Sequence, residues 1–201
     1  MIPLWFKLAY LAFVAVLVPV YLLEHGWMNF LWLSNVALFG GLVAAWLETR
    51  RLASMMLVAV LLLEMGWIVD FLGSLLLLGT TPFGAVDYMY NPELALSVRL
   101  LSLYHLLLPF VLLWLVWRLG YDRAAWKSWI PIGMGVLVLS FLLSSPERNV
   151  NWVWGPGGEP QQWMPPEAWL AVVLVICGVV WWITHLLIEH AGRRWGLRMS
   201  P

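Results

Sequence analysis

Charge is the scarcest property of this chain: only 11% of its 201 residues are Asp, Glu, Lys or Arg, where an ordinary soluble domain carries about 25%. With 63% of the residues hydrophobic, a water-soluble fold is excluded. Cysteine is nearly absent. The one thiol, Cys177, lies within an apolar run, which rules out an intrachain disulfide and any multi-cysteine metal site. Net charge is zero, so bulk electrostatics gives no reason to expect a nucleic-acid partner. No internal repeat is visible. No small-x-small cleavage site follows Val18-Pro19-Val20, so the apolar N-terminal stretch reads as an uncleaved first helix.

What remains is apolar sequence enough for six spans of about 20 residues with short connections. The expected fold is therefore an all-α, polytopic transmembrane helical bundle forming one integral-membrane domain over 1–201. Suitable spans run over 4–23, 27–47, 52–78, 97–119, 129–145 and 166–190. The connections 80–96 and 146–165 are rich in Pro, Gly and Asn and should be irregular or only briefly helical.

Orientation follows from the basic residues, which favour the cytoplasmic side. Lys7, Arg50, Arg51, Arg118, Arg123, Lys127, Arg193, Arg194 and Arg198 fall on one side of a six-span arrangement, and only Arg99 and Arg148 on the other. Both termini are thus expected in the cytoplasm, in a multi-pass protein of the inner (cytoplasmic) membrane. The opposite face is acidic. Many of the 16 tryptophans fall at span ends, where amphipathic rings prefer the headgroup layer. Trp152, Trp154 and Trp163 instead fall in the last outer loop, which should lie on the membrane or fold over the helices as a lid.

Ionisable or polar groups within spans are costly and mark candidate sites. Counting inward at 1.5 Å per residue, Ser34 and Asn35 on the second span, His105 on the fourth and Glu64 on the third all lie roughly 10–12 Å below the outer surface. In that layer His105 has the makings of a general base, Ser34 of a nucleophile, Glu64 of an orienting carboxylate and Asn35 of an oxyanion donor. Asp70 and Arg99 lie about 9 Å further out on their helices and are placed to pair. Pro109 cannot donate to the His105 carbonyl, so the backbone there should be kinked. No two histidines share a height on facing helices, which argues against a bis-histidine haem, and no cofactor is expected. A metal held by His105, Glu64 and Asp70 is a weaker reading. At the inner end, His185 and Glu189 share a helix face and read as a hydrogen-bonded interface pair.

Several segments are distinctive: Asn29-Phe30-Leu31-Trp32-Leu33-Ser34-Asn35, Glu64-x-x-Trp67-x-x-Asp70, Leu101-Ser102-Leu103-Tyr104-His105-x-x-x-Pro109, Leu119-Gly120-Tyr121-Asp122-Arg123-Ala124 and Asn149-Val150-Asn151-Trp152-Val153. Together they resemble an uncharacterised family of bacterial integral-membrane proteins of about this length, from which no function carries over. The second and fourth spans more distantly resemble the androgen-induced membrane hydrolases of fatty-acid esters of hydroxy fatty acids, which use a threonine nucleophile and a histidine on separate helices. That resemblance rests on His105-Leu106-Leu107-Leu108-Pro109-Phe110 and implies a catalytic role for His105. The counterpart of the threonine is Trp32 or Ser34. The expected function is a hydrolase or acyl-transfer enzyme acting on a membrane lipid ester from the outer leaflet, with Asp70, Arg99, Asn151 and Trp152 as substrate-contacting or gating residues. The rival expectation is a non-catalytic component, either a small-molecule or lipid transporter or an accessory subunit of a membrane complex.

Overall fold

Apolar residues dominate each long segment so completely that burial, not polarity, distinguishes one helix face from another. In the computed structural model, which describes residues 1–200, the chain is all helical, with α1 (Leu4–His25), α2 (Leu33–Leu47), α3 (Arg50–Leu76), α4 (Leu96–Ser102), α5 (Tyr104–Leu119), α6 (Ala125–Leu143) and α7 (Pro166–Arg194). Five rods are long and apolar enough to cross a membrane: α1, α3, the continuous pair α4–α5, α6 and α7. The shorter α2 is apolar but has only 15 residues, about 22 Å of helix. Leucines such as Leu23, Leu76, Leu107 and Leu142 remain more than half exposed along the rods. A helical membrane bundle explains that surface, since lipid tails cover it.

The centre of the bundle is α3. Its residues Ala53 to Val60 are all buried, a helix apolar and covered all round, and it packs against α2, α5, α6 and α7. By contrast α1 buries only Tyr10, Val14, Leu17 and Tyr21, a single stripe at helical spacing. Both chain ends meet at one end of the bundle. Tyr121 N–H donates to the Arg198 carbonyl at 2.7 Å and Ser200 N–H to the Tyr121 carbonyl at 2.8 Å, while Ile2 N–H reaches Glu48 Oε1 at 3.1 Å. We call this the terminal end, and the other, which carries the two long connections, the loop end.

Two helix irregularities shape the loop end, the first a departure from the sequence expectation and the second the kink expected near His105. The second rod does not begin as an α-helix at 27. Trp27–Leu31 forms a 3₁₀ turn, and the α-helix starts at Leu33. At the break Asn151, from the last long connection, substitutes for the missing helical partners. Its Nδ2 donates to the Leu31 carbonyl at 2.8 Å and its Oδ1 accepts from Leu33 N–H at 2.9 Å. Irregular backbone at such depth is tolerable only when another part of the protein satisfies it. The fourth rod breaks at Leu103, two residues before His105. Pro109 deprives the His105 carbonyl of its helical donor, and the chain tightens into three-residue bonds, Leu103 N–H to Leu100 and Leu106 N–H to Leu103.

Candidate functional site

The carboxylate of Glu64 is 3% exposed on the most buried helix, and a charge-bearing group in that position needs a partner. The partner is His105, whose Nδ1 lies 2.9 Å from Glu64 Oε2. Trp67, one turn beyond Glu64, stacks on the imidazole with centroids 4.8 Å apart, and Tyr104 stacks at 4.1 Å. The ring is held by one hydrogen bond and by aromatic faces. Its second nitrogen, Nε2, has no partner among the described residues and is not sealed from solvent.

His105 lines a cavity of about 560 Å³ at the loop end, together with Ser34, Asn35, Ser102, Tyr21, Trp32, Trp67, Tyr88 and Tyr104. Its rim is formed by Glu24, His25, Asp87 and Arg148. Toward the terminal end the bundle is filled by Leu17, Ala37, Leu38, Leu57, Leu108 and Leu112, each 3% exposed or less.

The structure brings Ser34, Asn35 and His105 to one cavity and joins Glu64 to it through the imidazole. Ser34, in the first turn of α2, makes no direct hydrogen bond to His105. Asn35 has taken up structural work: its Nδ2 donates to the Asn29 carbonyl at 2.8 Å and its Oδ1 accepts from the Tyr104 hydroxyl at 3.1 Å. It therefore fixes the 3₁₀ turn and positions Tyr104 beside the imidazole. The N–H groups of Ser34 and Asn35, in the first turn of α2, have no carbonyl partner and are the donors left over at that point.

Asp70 and Arg99 do not pair and do not line the cavity. Asp70, fully buried, accepts from three backbone N–H groups of the first long connection: Phe83 at 2.7 Å, Ala85 at 2.7 Å and Val86 at 3.1 Å. Arg99 Nη1 donates to the Met89 carbonyl at 3.3 Å. Both residues fasten the connection 77–95, and a three-ligand metal site from His105, Glu64 and Asp70 is not formed among the described residues. Fastening brings Tyr88 over the cavity beside Ser102 and Trp67, where burial raises its hydroxyl pKa.

Of the other two expected contacts, Asn151 is occupied by the helix break and by Ser140, and Trp152 does line the cavity. Asn149 organises this second connection. It is 2% exposed and binds the Gly155 and Gly157 carbonyls at 2.9 and 3.0 Å and Trp154 N–H at 2.8 Å. Trp154 stacks on Phe141 at 4.3 Å, whereas Trp163 stays 67% exposed. The connection thus folds over the helices, with one ring left for the membrane surface.

Sequence reasoning missed Tyr21, Tyr88, Tyr104 and Trp67. The spacing Glu64-x-x-Trp67 was a usable signal, since residues three apart share a helix face; no sequence feature indicates that Tyr88 returns over the cavity. At the terminal end, His185 and Glu189 do not bond to each other. His185 Nδ1 pairs with the Tyr121 hydroxyl at 2.8 Å, and Glu189 binds Arg123 and Arg193, because the guanidiniums offer an ionised carboxylate stronger bonds than a neutral imidazole. Against known proteins the chain matches no family model, no curated protein and no solved structure, so the chemistry of the site rests on its own geometry.

Proposed function

We propose that the protein is a membrane-embedded hydrolase or acyl-transfer enzyme acting on a lipid ester, with His105 as its general base. One observation carries this reading: a buried carboxylate orients an imidazole that has an unpartnered second nitrogen and lines a cavity shared with a serine. Imidazole is the side chain best suited to proton transfer near neutrality. Glu64 fixes the ring and stabilises the imidazolium once formed.

Ser34 Oγ attacks the ester carbonyl while its proton passes to His105 Nε2. The tetrahedral oxyanion is stabilised by the free N–H groups of α2. Collapse breaks the ester C–O bond, and the imidazolium returns its proton to the departing alcohol. Water, deprotonated by the same nitrogen, then releases the fatty acid and regenerates Ser34, or a second alcohol takes the acyl group. Contact between nucleophile and base is commonly loose before substrate arrives.

The apolar packing beyond the cavity favours this function over transport, which needs a polar path to both faces. For orientation we infer six crossings with both termini cytoplasmic, supported by the nine-to-two division of basic residues. The cavity then faces the outer leaflet of the inner membrane. Reporter domains fused at either terminus should be active only in the cytosol; a periplasmic terminus overturns this orientation.

Purified protein should hydrolyse or transacylate members of a lipid-ester panel and react with a fluorophosphonate probe. Ser34→Ala and His105→Ala should each lower turnover by about 10²–10⁴-fold, and the double variant by little more than either, since the two act as a unit. Parental turnover in a well-folded His105→Ala variant overturns the proposal. Parental turnover in Ser34→Ala alone transfers the nucleophile to water.

A further inference from the structure

The rim of the cavity carries two carboxylates, one guanidinium and one imidazole on three different parts of the chain. Glu24 and His25 end α1, Asp87 opens the 3₁₀ turn of the first long connection, and Arg148 enters the second. Arg148 is one of only two basic residues at the loop end, and it is held in place. Its Nη1 donates to the His25 carbonyl at 2.7 Å, and its neighbour Asn149 is the buried organiser of the connection. The guanidinium keeps further N–H donors directed away from that carbonyl, in a planar array suited to a phosphate. Glu24 makes no hydrogen bond or ion pair among the described residues, although it lies within electrostatic reach of His25.

A ligand complementary to this rim carries an anionic and a cationic group. The cavity is also lined by Trp32, Trp152 and Tyr88, and aromatic faces attract an ammonium. The hydrophobic ends of the same ligand must stay in the bilayer around the rods. We propose that the rim is a headgroup subsite for a zwitterionic phospholipid, with its phosphate on Arg148 and its ammonium at Glu24 and Asp87. This deepens the hydrolase reading and rests on it for the statement that such a lipid is the substrate. With the headgroup at the rim, the ester carbonyls lie further in, toward His105.

Binding is tested apart from turnover with ether-linked short-chain lipids, which have no ester to cleave. The full-length protein in detergent is titrated with dihexyl-ether forms of phosphatidylethanolamine, phosphatidylcholine and phosphatidylglycerol, following tryptophan fluorescence. At least one zwitterionic lipid should bind roughly tenfold more tightly than phosphatidylglycerol, the effect of one charge-assisted contact. Preference for phosphatidylethanolamine supports the ammonium at the carboxylates; preference for phosphatidylcholine, whose quaternary ammonium has no N–H to donate, overturns its placement at Glu24 and Asp87. Arg148→Gln should weaken the preferred lipid about tenfold and Arg148→Lys less. Glu24→Gln, which breaks no internal bond, should erase most of the preference over phosphatidylglycerol. Equal binding of all three headgroups, or parental selectivity in both Arg148→Gln and Glu24→Gln, overturns the subsite. Selective binding by a protein with no ester turnover keeps the subsite and sinks the hydrolase, whereas turnover without headgroup selectivity does the reverse.

Discussion

The two ends of the bundle each hold a histidine hydrogen-bonded and stacked on aromatic rings, yet they differ in the partner that holds the imidazole and in whether the ring lines a cavity. At the loop end His105 is bound by Glu64, stacked on Trp67 and Tyr104, and open to a cavity. At the terminal end His185 is bound by the Tyr121 hydroxyl, with Tyr121 and Trp126 against the ring. Tyr121 is fully buried, and burial raises its pKa, so it stays a neutral phenol and supplies no charge to stabilise an imidazolium. A carboxylate partner and a space for substrate distinguish a candidate base from a packing residue. The residue type alone does not.

The comparison breaks most sharply under matched substitutions. His105→Phe should lower lipid-ester turnover by at least about 10²-fold, while His185→Phe should leave turnover intact and cost about 1–3 kcal/mol of stability through the orphaned Tyr121 hydroxyl. Equal loss of turnover in both, at equal thermal stability, would remove the distinction. The next effect concerns how the cavity is covered. Asp70→Ala orphans three backbone N–H groups, which should destabilise by several kcal/mol and expose the segment 77–95 to protease before any cleavage near Tyr121. Asp70→Asn, retaining an acceptor, should lose less, and unchanged cleavage in Asp70→Ala would show that the carboxylate does not hold the cover.

The smallest effect belongs to the terminal end. Lys7 Nζ donates to Glu48 Oε1 at 2.8 Å and, with Ile2 N–H, holds the Glu48 carboxyl below its ordinary value of 4.5. A depressed carboxylate contributes stability that is present above the unfolded pKa and lost as pH falls through the folded one. Thermal stability should therefore decline below about pH 4.5 with a slope that Glu48→Gln flattens slightly, and turnover at neutral pH should not change. A steeper acid loss in the Gln variant would contradict this assignment.

Much of the candidate site was legible because intramembrane polarity is costly. Glu64 and His105 stood out as ionisable groups in apolar runs, and helical rise alone put them at one depth. Depth could not give rotation about the helix axis, so Asp70 and Arg99 were legible as neighbours yet turn to the first long connection instead of each other. Nor could local pattern show that Asn151, 118 residues from Leu33, completes the broken start of α2. Asn35 was legible as a buried amide, but its partners Asn29 and Tyr104 were decided by a 3₁₀ turn that no propensity announced.

The sequence by itself determined that this is a helical membrane protein, roughly where its long rods run and which few polar side chains lie within them. These follow from composition, from segment length against bilayer thickness and from the free energy of burying charge, all of them properties of single segments. Only the tertiary structure decided that Glu64 takes His105, that Asp70 is spent on fastening a connection, and that Tyr88 and Arg148 return over the cavity. Those outcomes depend on helix rotation and on the path of irregular connections. Both are set by packing and by the satisfaction of backbone groups between segments distant in the chain.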